Sequence, residues 1–341
     1  MAELFFFLEA TLVSFLLTRA IIGFSKKRQL LDIPNDRSSH RIPTPRLGGV
    51  AIVTAFYATT AALYAFGRDP FPDGRLAAGF LIGGGLLALM GVVDDLRHID
   101  ARAKLAAQIA AAVVVIASGG LLTELRIPLV GVLGLGPLAA PLTLLWIVAM
   151  INFYNFIDGL DGLAAGVGMI AALFLVLMGA LSSSTQFAAV YLVLAGSCLG
   201  FLRFNFPPAR IFMGDSGSTF LGYSFAVLAI IGSGRGVPVF VTILLLAGVL
   251  GDAALTLVKR IIARERILVP HRTHYYQRLT SVGFSHKQIA LLEYLAAVML
   301  GVSALFIFQG EAVFVTVFSG LCIVFFLWAI LKIRGLERGA V

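Results

Sequence analysis

The sequence predicts an all-α membrane protein, a polytopic bundle of about ten to eleven transmembrane helices whose chemistry lies on the cytoplasmic face. Three observations carry that expectation. The 341 residues are 59% hydrophobic and only 13% charged, with a mean hydropathy of +0.97. Ordinary soluble domains run about 45–50% apolar and about 25% charged. The apolar residues gather into continuous runs, and a membrane-crossing helix needs about 20 such residues. The basic residues, finally, fall almost entirely on one side of the map that these runs define.

The runs lie at 4–22, 48–66, 76–93, 104–118, 138–156, 163–181, 187–203, 219–233, 238–258, 289–308 and 313–331. The fourth and eighth are short, so ten spans is the lower count. Apolar residues run on instead of alternating, which marks helices and not barrel strands. Glu3 rather than a basic stretch precedes the first run, and no small-residue cleavage site follows it, so a cleaved leader is not expected. Cys198 and Cys322 sit inside apolar runs, so neither a disulfide framework nor a thiolate zinc site is expected. No linker, repeat or low-complexity segment divides the chain, and residues 1–341 read as one domain.

With the N-terminus outside and the spans alternating, 21 of the 26 Lys and Arg residues fall inside, four fall outside and Arg19 lies in a span. This asymmetry sets the inner side as cytoplasmic and leaves the C-terminus there. It also explains the net charge of +8, which in a soluble chain would suggest nucleic acid. No nucleic-acid partner is expected here. All five histidines and Asp94, Asp95, Asp100, Asp158, Asp161 and Asp215 share the cytoplasmic side. A chain that only spanned the bilayer would not concentrate these groups on one face.

Five clusters hold this polar chemistry. Ile33–His40 and Ile42–Gly49 form a loop fixed by proline and glycine, and its basic side chains, Arg41 among them, suit phosphate. Asp94 and Asp95 end the third span, where adjacent acids repel each other and oppose the helix dipole, so they need a cation or a basic partner. Asn152, Asn155, Asp158 and Asp161 recur at steps of three, which drift about 60° per step around a helix. Gly159 and Gly162 let the chain break there and fold these groups inward, as Mg2+, ribose or a base edge would require. Gly214–Ser218 opens the eighth span, where Ser216 or Ser218 can cap the helix, its amides can take a phosphate, and Asp215 can hold a bridging cation. Pro270–Arg278 carries two histidines, an arginine and two tyrosines suited to a sugar or its pyrophosphate. No third histidine or thiolate stands nearby to make a zinc site of it. Together these clusters describe phosphate chemistry at a membrane surface, with oxygen ligands for Mg2+ and basic groups for anions.

In this order, Asp94–Asp95, the Asn152-x-x-Asn155-x-x-Asp158–Gly159–Leu160–Asp161–Gly162 run, Met213–Ser218 and the histidine loop resemble the polyprenyl-phosphate N-acetylhexosamine-1-phosphate transferases of the MraY and WecA type. The resemblance runs from about residue 32 to residue 288, and the form of residues 271–277 is most similar to the WbpL-like initiating enzymes of O-antigen synthesis. It implies transfer of an N-acetylated sugar-1-phosphate from a UDP-sugar to undecaprenyl phosphate, with release of UMP, in the bacterial inner membrane. UDP-N-acetylfucosamine, UDP-N-acetylquinovosamine and UDP-GlcNAc stay open as donors, a peptidoglycan-precursor transferase is the alternative, and a homodimer is implied. Mg2+, or Mn2+ in its place, would be held by Asp215 with Asn155 as a second contact. Asp94 and Asp95 would act at the lipid phosphate. Asp158, Gly159, Leu160, Asp161, Asn205 and Phe212 would hold the uridine, and Asn152 would join them in binding substrate. Arg41, Lys104, His271, Arg272 and His274 would meet its phosphates and sugar.

Two rival classes explain less. An intramembrane aspartyl protease also uses two membrane aspartates, but Phe212 stands where its Gly-x-Gly-Asp turn needs the first glycine. A transporter places its ionisable groups near the bilayer midplane. Here Glu9, Arg19, Asp252 and Glu293 are the main charges within runs, and Asp252 falls about 10 Å of helix before Lys259, near the cytoplasmic boundary.

Overall fold

The computed structural model describes residues 2–34, 42–71, 73–127, 130–182, 185–265, 274–310 and 320. Among them the chain forms twelve α-helices and two small antiparallel strand pairs. In chain order these are α1 (Ala2–Lys27), β1 (Leu31–Asp32), β2 (Thr44–Pro45), α2 (Gly48–Ala65), α3 (Gly74–Arg97) and α4 (Ala101–Ala117). Then come β3 (Glu124–Ile127), β4 (Gly131–Gly134), α5 (Ala139–Phe156), α6 (Leu163–Leu181), α7 (Thr185–Asn205) and α8 (Asp215–Ser233). The remainder are α9 (Val239–Leu245), α10 (Ala247–Ile262), α11 (Tyr275–Ser281) and α12 (His286–Phe308).

Eight of these helices are long and apolar enough to cross a membrane: α1, α2, α3, α5, α6, α7, α8 and α12. The fourth expected span forms the 17-residue α4, about 25 Å long. One expectation is corrected. The run 238–258 is not a straight span: α9 and α10 meet at 82° with the break at Leu246. Apolar composition reports length but not direction. Here packing sets direction, with α9 lying against α12 and β3 while α10 lies against α5 and α12. The last expected span, 313–331, lies outside the described residues.

α8 forms the axis of the bundle, and every residue from Ser216 to Gly232 is buried. Glycines let its neighbours close on it. A Cβ on Gly49 of α2 would lie 2.1 Å from the Gly217 nitrogen, and one on Gly91 of α3 would lie 2.4 Å from the Ser216 Cα. The first turn of α8 is therefore wedged between α2 and α3 at backbone contact. α7 packs on α1 in a similar way, with Gly196 and Gly200 facing the Phe7 and Thr11 carbonyls. Small residues at such spacing drive helix association in lipid, where apolar side chains gain little from meeting each other. Leu4, Leu8, Leu12 and Leu16 form an outward stripe on α1, each more than half exposed. The bilayer is the natural cover for that stripe.

β1 pairs with β2, Leu31 opposite Pro45, and Asp32 forms an ion pair with Arg46. The segment that follows carries this order to α8: Phe212 N donates to Pro45 O at 2.9 Å, and Gly49 N donates to Met213 O at 2.7 Å. The β3–β4 hairpin lies at the opposite end of the bundle, between α4 and α5 in the chain.

Candidate active site

The polar clusters meet where α3 ends and α4 and α8 begin. Asp94 turns one carboxylate oxygen to the Ile99 amide at 2.7 Å and the other to Lys104 Nζ at 2.6 Å. The tight turn His98–Asp100 makes this reach short. Asp100 then caps α4 through the Arg102 amide, which puts Lys104 in the first turns of that helix. Lys104 Nζ also donates to Asp215 Oδ2 at 2.8 Å. Asn155, near the end of α5, donates its amide to Asp215 Oδ1 at 3.0 Å and to Ser218 Oγ at 2.8 Å. Four helices thus contribute to one chain of contacts, Asp94–Lys104–Asp215–Asn155. The basic partner expected for the acids of α3 is Lys104, and of the two it serves Asp94 alone.

Asp95 has a different task. Its carboxylate accepts from the Asp215 amide at 2.9 Å, the Ser216 amide at 3.4 Å and Ser216 Oγ at 3.0 Å. It caps α8 from across the helix interface. The expectation that Ser216 or Ser218 caps α8 is corrected: both lie inside the helix, and the N-cap position is Gly214 at φ +72°. A side chain on Gly214 would stand 2.5 Å from both Asp95 oxygens, so glycine is needed for space as well as for backbone angle. The expected phosphate site on the α8 amides is corrected for the same reason, since Asp95 already occupies two of them.

The run 152–162 divides its polar residues among separate tasks. Asn152 pairs with Gln108 of α4 at 2.6 Å, a cross-helix amide pair. α5 stops at Phe156, and residues 157–162 turn back to α6. Asp158 lies half-buried in that turn. Burial, with the charges of Asp215 and Asp95 nearby, raises its carboxyl well above the usual carboxylate range. Asp161 accepts from the Ala209 amide at 2.9 Å and faces His286 at 3.3 Å. Asn205 accepts from the Gly162 amide and donates to the Ile211 carbonyl, each at 2.9 Å, and so ties the turn to the segment that leads into α8. Gly159 and Leu160 belong to the same turn. Tyr294 and Tyr276 hold it from behind, at the Gly162 and Phe156 carbonyls.

Phe212 enters the site through its backbone, which bridges Pro45 and Gly48. His274 is buried, its ring 5.6 Å from Tyr276 in a near-parallel stack and 5.7 Å from Phe156. Arg41, His271 and Arg272 lie outside the described residues. Sequence reasoning missed Gln108, Ser218 as a partner of Asn155, and the clamp of Tyr276 and Tyr294. Gln108 had a local signal, since it follows Lys104 by one helical turn on the same face. The tyrosines had none.

Asp94 and Asp215 converge here on one lysine, with Asp95 at the Asp215 amide and Asp158 close enough to feel the charges of both Asp215 and Asp95. That donor set is oxygen-rich and attracts positive charge. It fits Mg2+, which takes one or two carboxylates and completes its shell with water and substrate phosphate. Among the described residues no group of three His, Cys, Asp or Glu side chains forms an all-protein metal cage.

A bundle of apolar helices with carboxylates, lysine and asparagine gathered at one set of helix ends defines a membrane protein with a polar reaction centre at one face. Residues 77–233 match the family described as Glycosyl transferase family 4. The chain is 31% identical over 334 residues to a probable undecaprenyl-phosphate N-acetylglucosaminyl 1-phosphate transferase of Bacillus subtilis, covering 97% of this chain and 91% of that one. It is 34% identical over 322 residues to a decaprenyl-phosphate N-acetylglucosaminephosphotransferase of Mycobacterium leprae, covering 84% and 79%. A phospho-N-acetylmuramoyl-pentapeptide-transferase of Desulforudis audaxviator is 29% identical over 293 residues, covering 79% and 86%. The chain belongs to glycosyl transferase family 4, of the MraY and WecA type, and its relatives are phosphosugar transferases.

Proposed function

We propose that this protein transfers an N-acetylated sugar-1-phosphate from a UDP-sugar to undecaprenyl phosphate, releasing UMP, and so begins an envelope polysaccharide such as O-antigen. The observation that carries the reading is the Asp94–Lys104–Asp215–Asn155 chain at the helix ends. UDP-GlcNAc is the first donor to test, because the B. subtilis and M. leprae relatives are named for N-acetylglucosamine. UDP-N-acetylfucosamine and UDP-N-acetylquinovosamine follow. The D. audaxviator relative makes a UDP-muramoyl-pentapeptide donor the second reading. The site faces the cytoplasm of the inner membrane, with the N-terminus periplasmic and the C-terminus cytoplasmic, by the distribution of Lys and Arg.

Asp215, with Asn155 beside it, would hold Mg2+ (or Mn2+), which when bound offsets charge on the donor's diphosphate. Lys104 brings positive charge to the same oxygens and keeps Asp94 and Asp215 from repelling each other. Asp94 orients the acceptor at the inner membrane surface. The acceptor is a phosphate monoester whose second pKa is about 6, so at neutral pH it is largely dianionic and barely needs a base. Its oxygen attacks the β-phosphorus of the donor, and the bond from that phosphorus to the α-phosphate oxygen breaks. UMP leaves with the electron pair, and the lipid keeps a diphosphate-linked sugar.

Direct attack is favoured over a covalent aspartyl intermediate by the state of the carboxylates. Both oxygens of Asp94, Asp95 and Asp215 accept hydrogen bonds from protein donors. None stands bare as a nucleophile. Donor labelled in its β-phosphate, incubated with purified protein, Mg2+ and undecaprenyl phosphate, should pass its label to the lipid extract. Without acceptor it should label no protein and release no UMP. Stoichiometric protein labelling overturns direct attack, and no lipid label with any donor overturns the transferase reading.

A further inference from the structure

We propose that Asp252, on the bent span and outside the acid cluster, is a positioning residue for this site, acting on the Phe156–Gly159 turn through α11. Its kinetic meaning rests on the reaction proposed above, whereas its structural meaning does not. Asp252 lies in the second turn of α10, beyond the 82° bend. One carboxylate oxygen accepts from the Tyr275 amide at 2.9 Å and the other from the Tyr276 amide at 3.0 Å. Thr256 Oγ1 donates to the first oxygen at 3.1 Å, and His274 Nδ1 lies 3.6 Å from it.

The first amides of a helix have no partner within the helix, and a carboxylate there also suits the helix dipole. α11 has only seven residues, well under the length at which a helix holds itself in water. Its N-cap residue, His274, makes no side-chain capping bond. Asp252 therefore supplies from α10 the cap that α11 lacks, and fixes where α11 begins.

What α11 holds is the reaction centre. Tyr276 is buried, and burial raises its hydroxyl pKa, so the hydroxyl stays protonated and donates to the Phe156 carbonyl at 2.6 Å. That carbonyl is the last of α5. A Cβ on Gly159 would lie 2.5 Å from the same hydroxyl, so the turn rests directly on the phenol. His274 stacks on Tyr276 and leans on Phe156. Asn155 directly precedes the supported segment, and Asp158 lies within it. The geometry gives His274 a place in this support, in contrast to the sugar-phosphate contact that the family resemblance implies for it.

The test uses purified full-length protein carrying Asp252→Asn, Tyr276→Phe or both. By hydrogen exchange, both single variants should raise exchange at 156–162, Asp252→Asn should also raise it at 275–281, and residues 215–218 should not change. In the transfer assay kcat/KM for the UDP-sugar should fall about tenfold in each single variant. The double variant should be no worse than the worse single one, because both cut the same chain of contacts. Asp252→Glu should recover part of the rate that Asp252→Ala loses. Unchanged exchange at 156–162 in Asp252→Asn overturns the proposal, as do losses that multiply in the double variant. If the wild type transfers no phosphosugar, the reaction fails and the exchange result alone decides the positioning role. If Asp252→Asn does not fold, Thr256→Val removes a donor to the same carboxylate, and an unchanged turn in that variant is equally contrary.

Discussion

Lys104 stands between two carboxylates that would otherwise repel each other, and it reaches them from a different helix than either. Among the described residues it is the cation that joins Asp94 to Asp215. Lys104→Met should leave the fold recognisable but lower transfer by about a hundredfold or more, the usual scale for removing one preorganised charged donor. UMP release per folded protein measures this. Asp158 gives a prediction of opposite kind. Its carboxyl binds a proton more tightly in the folded than in the unfolded chain. Metal-free protein should therefore lose stability as pH rises from the ordinary carboxylate range through the raised value. Asp158→Asn should flatten that fall and raise the melting temperature in EDTA at pH 8, while lowering transfer. A melting curve at pH 5 and pH 8 for both proteins reads it. The residue types of this site were legible in the sequence because polar groups at membrane boundaries need partners. The pairing was not, since Lys104 meets a residue 111 positions away and Asn155 one 60 away. Asp94 and Asp95 look equivalent on paper, yet a helix turns about 100° between neighbours and sends them to different targets.

The helix starts and crossings fix the site's geometry. α8 begins where it does because Asp95 caps it, Gly214 bends into it, and Gly49 and Gly91 let α2 and α3 touch its backbone. Gly49→Ala places a methyl against the Gly217 backbone, where no side-chain shift relieves it. The cost should be about 3 kcal/mol or more, seen as loss of monodisperse protein on size exclusion in detergent. Gly85→Ala is the contrasting control, because its nearest neighbour stands at an ordinary 3.5 Å. Nine of the ten expected spans within the described residues formed single helices close to their expected limits, α4 included, since continuous apolarity is a direct signal of helix in lipid. The bend at Leu246 gave no such signal. It depends on what α9 and α10 pack against and on Asp252 reaching α11, both of which are tertiary facts.

Across the whole molecule, one end carries the clustered aspartates and asparagines and most of the basic residues, and the other carries short connections and the β3–β4 hairpin. In a background without Cys198 and Cys322, Asp69→Cys should react with a membrane-impermeant thiol reagent added outside cells. Lys287→Cys should react only after permeabilisation. Both positions are exposed, so access depends on membrane side alone. The reverse pattern would invert the orientation and put the site on the wrong face for a UDP-sugar. Most direct is UMP release in detergent, comparing wild type with Asp215→Asn in the presence of undecaprenyl phosphate, Mg2+ and UDP-GlcNAc or each other UDP-N-acetylhexosamine. Release by the wild type should need both lipid and metal and be abolished in the folded variant. Release that survives Asp215→Asn, or that proceeds without lipid, would contradict it.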